Sequence, residues 1–133
     1  MNKERGQVWL CKLPKSAGSV QQNVRPCVII SNDKGNTYSN ICTVIPITTQ
    51  TKKPLPTHYS LTETNTIQGT VLCEQIQTIY QGYLLSYKGN LTETDLNEIE
   101  KCICIALNLS PYKDNSVCIA FNLEDFEFYK DTY

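Results

Sequence analysis

The alternation of apolar and polar positions divides the chain into a strand-rich first part and one long helix. Residues 7–13 (QVWLCKL) are aromatic and branched, which predicts a strand. Residues 14–24 interrupt that pattern with Pro14, Gly18, two serines and two glutamines, and read as a polar loop. Residues 25–31 (RPCVIIS) form a continuous apolar run with an arginine at its mouth, the pattern of a strand buried on both faces. Residues 32–36 (NDKGN) carry turn chemistry or a single helical turn. Residues 40–47 (NICTVIPI) predict another strand, with Pro46 at an edge or bulge. A loop follows at 52–56, then a short strand at 58–61 and a strand at 70–74. Residues 75–79 continue that strand or open a turn of helix, and 83–88 read as one more strand.

The clear helix is 93–108. Thr92 is a good N-cap, and Asp95 stands three residues on, a relative of the capping box. Glu93, Asp95, Glu98 and Glu100 favour the positive N-terminal half of the helix dipole. Leu96, Ile99, Ile103 and Ala106/Leu107 make one apolar stripe, suited to packing on a sheet. Strands followed by one helix exclude a doubly wound sheet. The order predicts a mainly β, α+β domain: a small barrel or twisted antiparallel sheet with a C-terminal helix. Residues 1–109 form that unit. Residues 110–133 are an acidic extension with a candidate short strand at 116–121.

A chain of 133 residues suits one domain. Its seven cysteines are odd in number, mostly sit in apolar runs and form no CxxC, which predicts reduced core thiols in a cytoplasmic protein. Only Cys102 and Cys104 are close in sequence, with no histidine nearby, so no metal site is expected. The N-terminal MNKERG lacks a signal pattern, and no run approaches the roughly 18 apolar residues of a membrane span.

The net charge of −1 argues at first against a polyanionic partner. Splitting the chain reverses that. Residues 1–53 hold 8 basic and 2 acidic groups, +6, and residues 54–133 hold 4 basic and 11 acidic, −7. The basic half also carries the candidate chemistry.

No GxSxG, HExxH or P-loop occurs. Arg25 opens a buried strand ahead of Pro26, and its guanidinium is a planar fork suited to phosphate, or to an ordinary ion pair at a strand end. Thr48, Thr49 and Gln50 follow a strand, where hydroxyl and amide groups could bind phosphate or a base edge, or simply finish a threonine-rich strand. Ser19, Gln21 and Gln22 add polar groups in the first loop.

Six short motifs in register resemble the MazF/PemK family of type II toxin–antitoxin endoribonucleases. They are Arg5–Trp9 (RGQVW against RGDVxxxxL), Gly18–Gln21 (GSVQ against GSEQ) and Arg25–Asp33 (RPCVIISND against RPVLVVSND) with Asn36. Pro46–Gln50 (PITTQ against PITSQ), Pro56–His58 (PTH) and Glu74–Ile79 (EQIQTI against EQIRTI) complete the set. The match covers about four-fifths of the chain.

The resemblance implies an SH3-like barrel or twisted sheet, a homodimer and an antitoxin partner. It also implies cleavage of single-stranded RNA without a metal or other cofactor. Attack by the RNA 2′-hydroxyl leaves a 2′,3′-cyclic phosphate and a 5′-hydroxyl. By position, Arg25 and Thr48 are the catalytic pair, and Ser19, Gln21, Asn32, Thr49, Gln50, His58, Gln75 and Gln77 are RNA-binding. Val20 stands where many members carry Glu, and Gln77 where many carry Arg or Lys, departures expected to change RNA affinity or target sequence. The alternative is a non-catalytic toxin-fold binding module, or an inhibitor of a protein target such as gyrase.

Overall fold

The computed structural model describes residues 2–50, 53–62 and 66–110. The strands are β1 (Gln7–Leu13), β2 (Asn23–Ile29), β3 (Ile41–Thr48), β4 (His58–Ser60), β5 (Thr70–Leu72), β6 (Gln77–Tyr80) and β7 (Leu84–Asn90). The helices are α1 (Asp33–Tyr38) and α2 (Glu93–Leu107), with a 3₁₀ turn at Gln81–Tyr83. The strands form one antiparallel sheet in the order β4-β5-β3-β2-β1-β7, and β6 also pairs with β3. The expected twisted antiparallel sheet with a C-terminal helix is therefore present.

β3 is the node of the sheet. Along one side it pairs with β2 through Val44, Ile45 and Pro46. Along the other it pairs first with β6, from Ile41 to Val44, and then with β5, through Ile47 and Thr48. This forked pairing explains why residues 70–79 are not one strand. A turn closed by the Gln75 amide on the Leu72 carbonyl, at 2.9 Å, separates β5 from β6 and lets each take its own length of β3.

β3 is buried on both faces, and the core accordingly divides in two. One face carries Trp9, Cys11, Leu13, Cys27, Ile29, Cys42, Val44, Ile79 and Leu84. The other carries Val8, Val28, Ile45, Ile47, Val71, Cys73, Leu91 and Ile99. α2 covers the second face with the predicted stripe, in which Ile99 is buried and Leu96 and Ile103 pack beside it. Burying such a side chain contributes about 1.5–3 kcal/mol.

Thr92 caps α2 as expected, its hydroxyl accepting from the Asp95 amide at 3.1 Å. The helix ends at Leu107, one residue short of the predicted 93–108. Asn108 takes the left-handed conformation (φ 55°), and its N–H reaches the last-turn carbonyls. The Asp95 side chain is buried and accepts from the Tyr59 hydroxyl on β4, so the first turn of the helix is also docked on the sheet. At the opposite edge Arg5 holds Glu100 of α2 at 2.9 Å and the Ile30 carbonyl at 3.0 Å.

Six cysteines are free thiols, and Cys11, Cys27, Cys42 and Cys73 are buried. Burial, with Cys11 nearby, pushes Cys42 up to about 11, so it stays a protonated thiol at neutral pH. Cys118 and nearly all of the acidic extension, residues 111–133, lie outside the described residues, as does the candidate strand at 116–121. No helix among the described residues is long and apolar enough to cross a membrane.

Candidate active site

Arg25 and Thr48 come together at one end of the sheet. The β2–β3 ladder runs Ile29–Val44, Val28–Ile45, Cys27–Pro46. Carried two residues further, the same register sets Arg25 opposite Thr48. There the strands part company: Thr48 pairs with Thr70 of β5, and Arg25 with Cys11 of β1. Residues opposite one another in an antiparallel pair share a face. Arg25, Thr48, Thr70 and Ser60 therefore form one row, on the face turned away from α2.

The two side chains are complementary. Arg25 is exposed, and its only hydrogen bond among the described residues is from Nε to the Gln22 carbonyl, at 3.3 Å. It makes no ion pair among the described residues. Thr48 is 5% exposed, and its Oγ1 accepts from the Gln50 amide at 3.2 Å, leaving its own proton to donate. A cation and a neutral hydroxyl donor thus border one opening. A cavity of about 340 Å³ is lined by Lys12, Lys15, Asn23, Val24 and Tyr83 where β1 ends and β2 begins.

His58 and Glu74 lie on the same face, further across the sheet. His58 pairs with Leu72 of β5, and its Nε2 is 2.8 Å from Glu74 Oε1. The His58 side chain is 4% exposed, and its Nδ1 is buried with no hydrogen-bond partner. Two strand spacings and two residues separate it from Thr48, about 12 Å between Cα atoms. His58 therefore flanks Thr48 rather than adjoining it. Gln77 faces the same way, opposite Val44 of β3, and its Nε2 is also buried without a partner.

The other predicted RNA-binding residues divide. Thr49 and Gln50 are exposed beside Thr48 at the end of β3. Ser19 and Gln21 are half-buried in the β1–β2 loop and held there by Gln75: the Gln21 amide donates to Gln75 Oε1 at 2.8 Å, and Gln75 Nε2 donates to the Ser19 carbonyl at 3.0 Å. Asn32 lies at the other end of β2 from Arg25, where its side chain caps α1 by accepting from the Gly35 amide at 2.7 Å. The fold does not bring it to the Arg25–Thr48 opening.

Two residues to which the sequence assigned no site role lie beside these positions. Glu74 looked like the end of a strand, and only the fold shows that its carboxylate meets the one histidine. Gly69 supports Thr48 from β5. A Cβ there would lie 2.7 Å from the Thr48 carbonyl oxygen, and φ is +132°. Its sequence signal was a glycine immediately before a strand, where close backbone approach is common. Among the described residues no cluster of three or more His, Cys, Asp or Glu could hold a metal ion.

The profile of the PemK-like, MazF-like toxins of type II toxin–antitoxin systems matches residues 4–107. The chain belongs to that family. A MazF endoribonuclease of Staphylococcus saprophyticus is 35% identical over 109 residues, covering 79% of this chain and 91% of the relative. A mycobacterial endoribonuclease superposes with a TM-score of 0.71 at 27% identity, over 82% of this chain and 94% of the other. A mycobacterial endoribonuclease in complex with its cognate antitoxin gives 0.70 at 28% identity, over 82% and 97%. In this PemK/MazF-like toxin the seven-stranded sheet and C-terminal helix are thus the family fold.

Proposed function

We propose that this toxin is an endoribonuclease that cuts single-stranded RNA without a metal ion, with Arg25 and Thr48 as its catalytic residues. In the step they serve, the 2′-oxygen forms a bond to phosphorus as the bond from phosphorus to the 5′-oxygen breaks. The 2′-hydroxyl proton is lost and the 5′-oxygen gains one, leaving a 2′,3′-cyclic phosphate and a 5′-hydroxyl. Negative charge grows on the nonbridging oxygens. A preorganised guanidinium and hydroxyl stabilise that charge more than the ground state. What supports this reading is that Arg25, exposed and without an ion pair among the described residues, lies on the same face and at the same end of the sheet as Thr48.

Thr49, Gln50, His58 and Gln77 flank the pair and contact the neighbouring nucleotides, with Ser19 and Gln21 shaping the loop above. The working form is a cytoplasmic homodimer restrained by a cognate antitoxin. Incubating the purified protein with unstructured RNA of mixed sequence in EDTA tests this reading. Cleavage to 2′,3′-cyclic phosphate ends, lost in Arg25→Ala, is expected. Intact RNA with the unmutated protein defeats the proposal.

A further inference from the structure

Both ends of the Gln75 side-chain amide bond to the protein backbone. Its Oε1 accepts from the Gln21 amide at 2.8 Å, and its Nε2 donates to the Ser19 carbonyl at 3.0 Å. These bonds span more than fifty residues of sequence and join the β5–β6 turn to the β1–β2 loop. The turn lies on the far side of β3 from β2. The loop therefore reaches past β3 to meet the turn. Its end is tied down as well: the Gln22 carbonyl accepts from Arg25 Nε at 3.3 Å, and Gln22 Oε1 from the Ser16 amide at 2.9 Å.

We infer that Gln75 is a positioning residue for the cleavage step: it clamps residues 19–22 of the loop, and the loop aims the guanidinium of Arg25. The inference rests on the catalytic reading of Arg25 given above. The connection is physical at each link. A primary amide offers one acceptor and two donors, and here one of each grips two backbone groups two residues apart. Fixing Gln21 fixes the adjoining Gln22 carbonyl. That carbonyl holds Nε, which leaves the two terminal nitrogens of the guanidinium to face the opening as a fork. Arg25 is otherwise exposed, so without that restraint its long side chain samples many rotamers. Gln75 itself has no polar atom left over for an RNA base in this arrangement beyond its second amide proton.

The test compares Gln75→Ala and Gln75→Glu with the unmutated full-length protein. Three quantities are read: the single-turnover cleavage rate at saturating enzyme, the affinity for a non-cleavable 2′-deoxy oligonucleotide, and the Nε–H resonance of Arg25 by NMR. Gln75→Ala is expected to slow cleavage about 10- to 100-fold, the range for misaligned catalytic groups, with affinity changed less than about threefold. The Arg25 resonance broadens or moves to the solvent-exchanging position. Gln75→Glu retains the acceptor for Gln21 and loses the donor to Ser19, so it falls between the two. In an Arg25→Lys background, which lacks Nε–H, Gln75→Ala costs little more, because the two act in one chain.

Weaker affinity with an unchanged saturated rate overturns the inference and makes Gln75 an RNA contact. An unchanged rate overturns it, and so does an Arg25 resonance that stays in place in Gln75→Ala. If the unmutated protein does not cut RNA, the proposed function fails first, and the NMR comparison still decides whether Gln75 holds Arg25.

Discussion

His58 Nε2 sits 2.8 Å from Glu74 Oε1 in a pocket where the imidazole is almost wholly buried. The contact at Nε2 fixes the orientation of the ring and so turns Nδ1 the other way. Among the described residues Nδ1 is buried and has no hydrogen-bond partner. A buried group of this kind gains most from a ligand that supplies the missing hydrogen bond.

From this follows the first prediction. His58→Ala weakens RNA binding about 5- to 100-fold, the span of one good base-edge contact, and flattens the base preference at one position beside the cut. Glu74→Ala has the same direction, since the ring loses its orientation. Sequencing the cut ends of a random RNA pool measures both. Unchanged preference in both variants removes His58 from substrate recognition.

Thr48→Val keeps the shape of the side chain and deletes the hydroxyl. Its cleavage rate should fall about 10²–10³-fold, as when one donor to a developing charge is removed, while Thr48→Ser retains most activity. Folding should be little affected by Thr48→Ser, checked by thermal melting. Equal rates for the valine and serine variants would show that the hydroxyl has no part in the chemistry.

Gly69→Ala tests support of the site from β5. The new Cβ meets the Thr48 carbonyl oxygen at 2.7 Å, and the backbone stands at φ +132°, where L side chains are strained. A loss of about 1–3 kcal/mol in stability is expected from the strained backbone, together with slower cleavage as Thr48 is displaced. Denaturant melts and single-turnover rates on the same samples check this.

Tyr59 titrates above its ordinary value because it is buried and because its hydroxyl donates to Asp95. A raised value means the folded state holds the proton more tightly. The stabilisation is complete below about pH 10, the unfolded value, and drains away as pH climbs through the folded one. Tyr59→Phe should cost about 1.5–3 kcal/mol at neutral pH, the range for a hydrogen bond to a charged group. It should also remove this component of the alkaline loss of stability. Melting temperatures from pH 8 to 12 for both proteins give the comparison, and parallel curves refute it.

What could be read from the chain and what could not follow from how local each signal is. β1, the apolar run of β2 and the body of α2 are written in consecutive residues, as period, burial pattern and cap. α2 ended one residue early only because Asn108 turns left-handed. β2 starts at Asn23 rather than Arg25 because β1 is long enough to pair with it there. The break between β5 and β6 was illegible, since it depends on β3 offering two separate stretches of one edge. The Arg25–Thr48 pairing came through motif resemblance, and its geometry only through register. Gln75 shows the limit most plainly: the resemblance implied RNA contact, and only the fold shows its amide bonded to a loop more than fifty positions away.

The forked pairing of β3 also bears on how the protein is made. Three strands from distant parts of the sequence, β2, β5 and β6, meet on this one strand. A shift of a single residue against β2 would turn Thr48 to the opposite face from Arg25. A chain that ends before β5 has the arginine and the threonine but lacks the pairing of Ile47 and Thr48 with Val71 and Thr70. The end of β3 that carries Thr48 is thus completed by a strand more than twenty residues further along the chain.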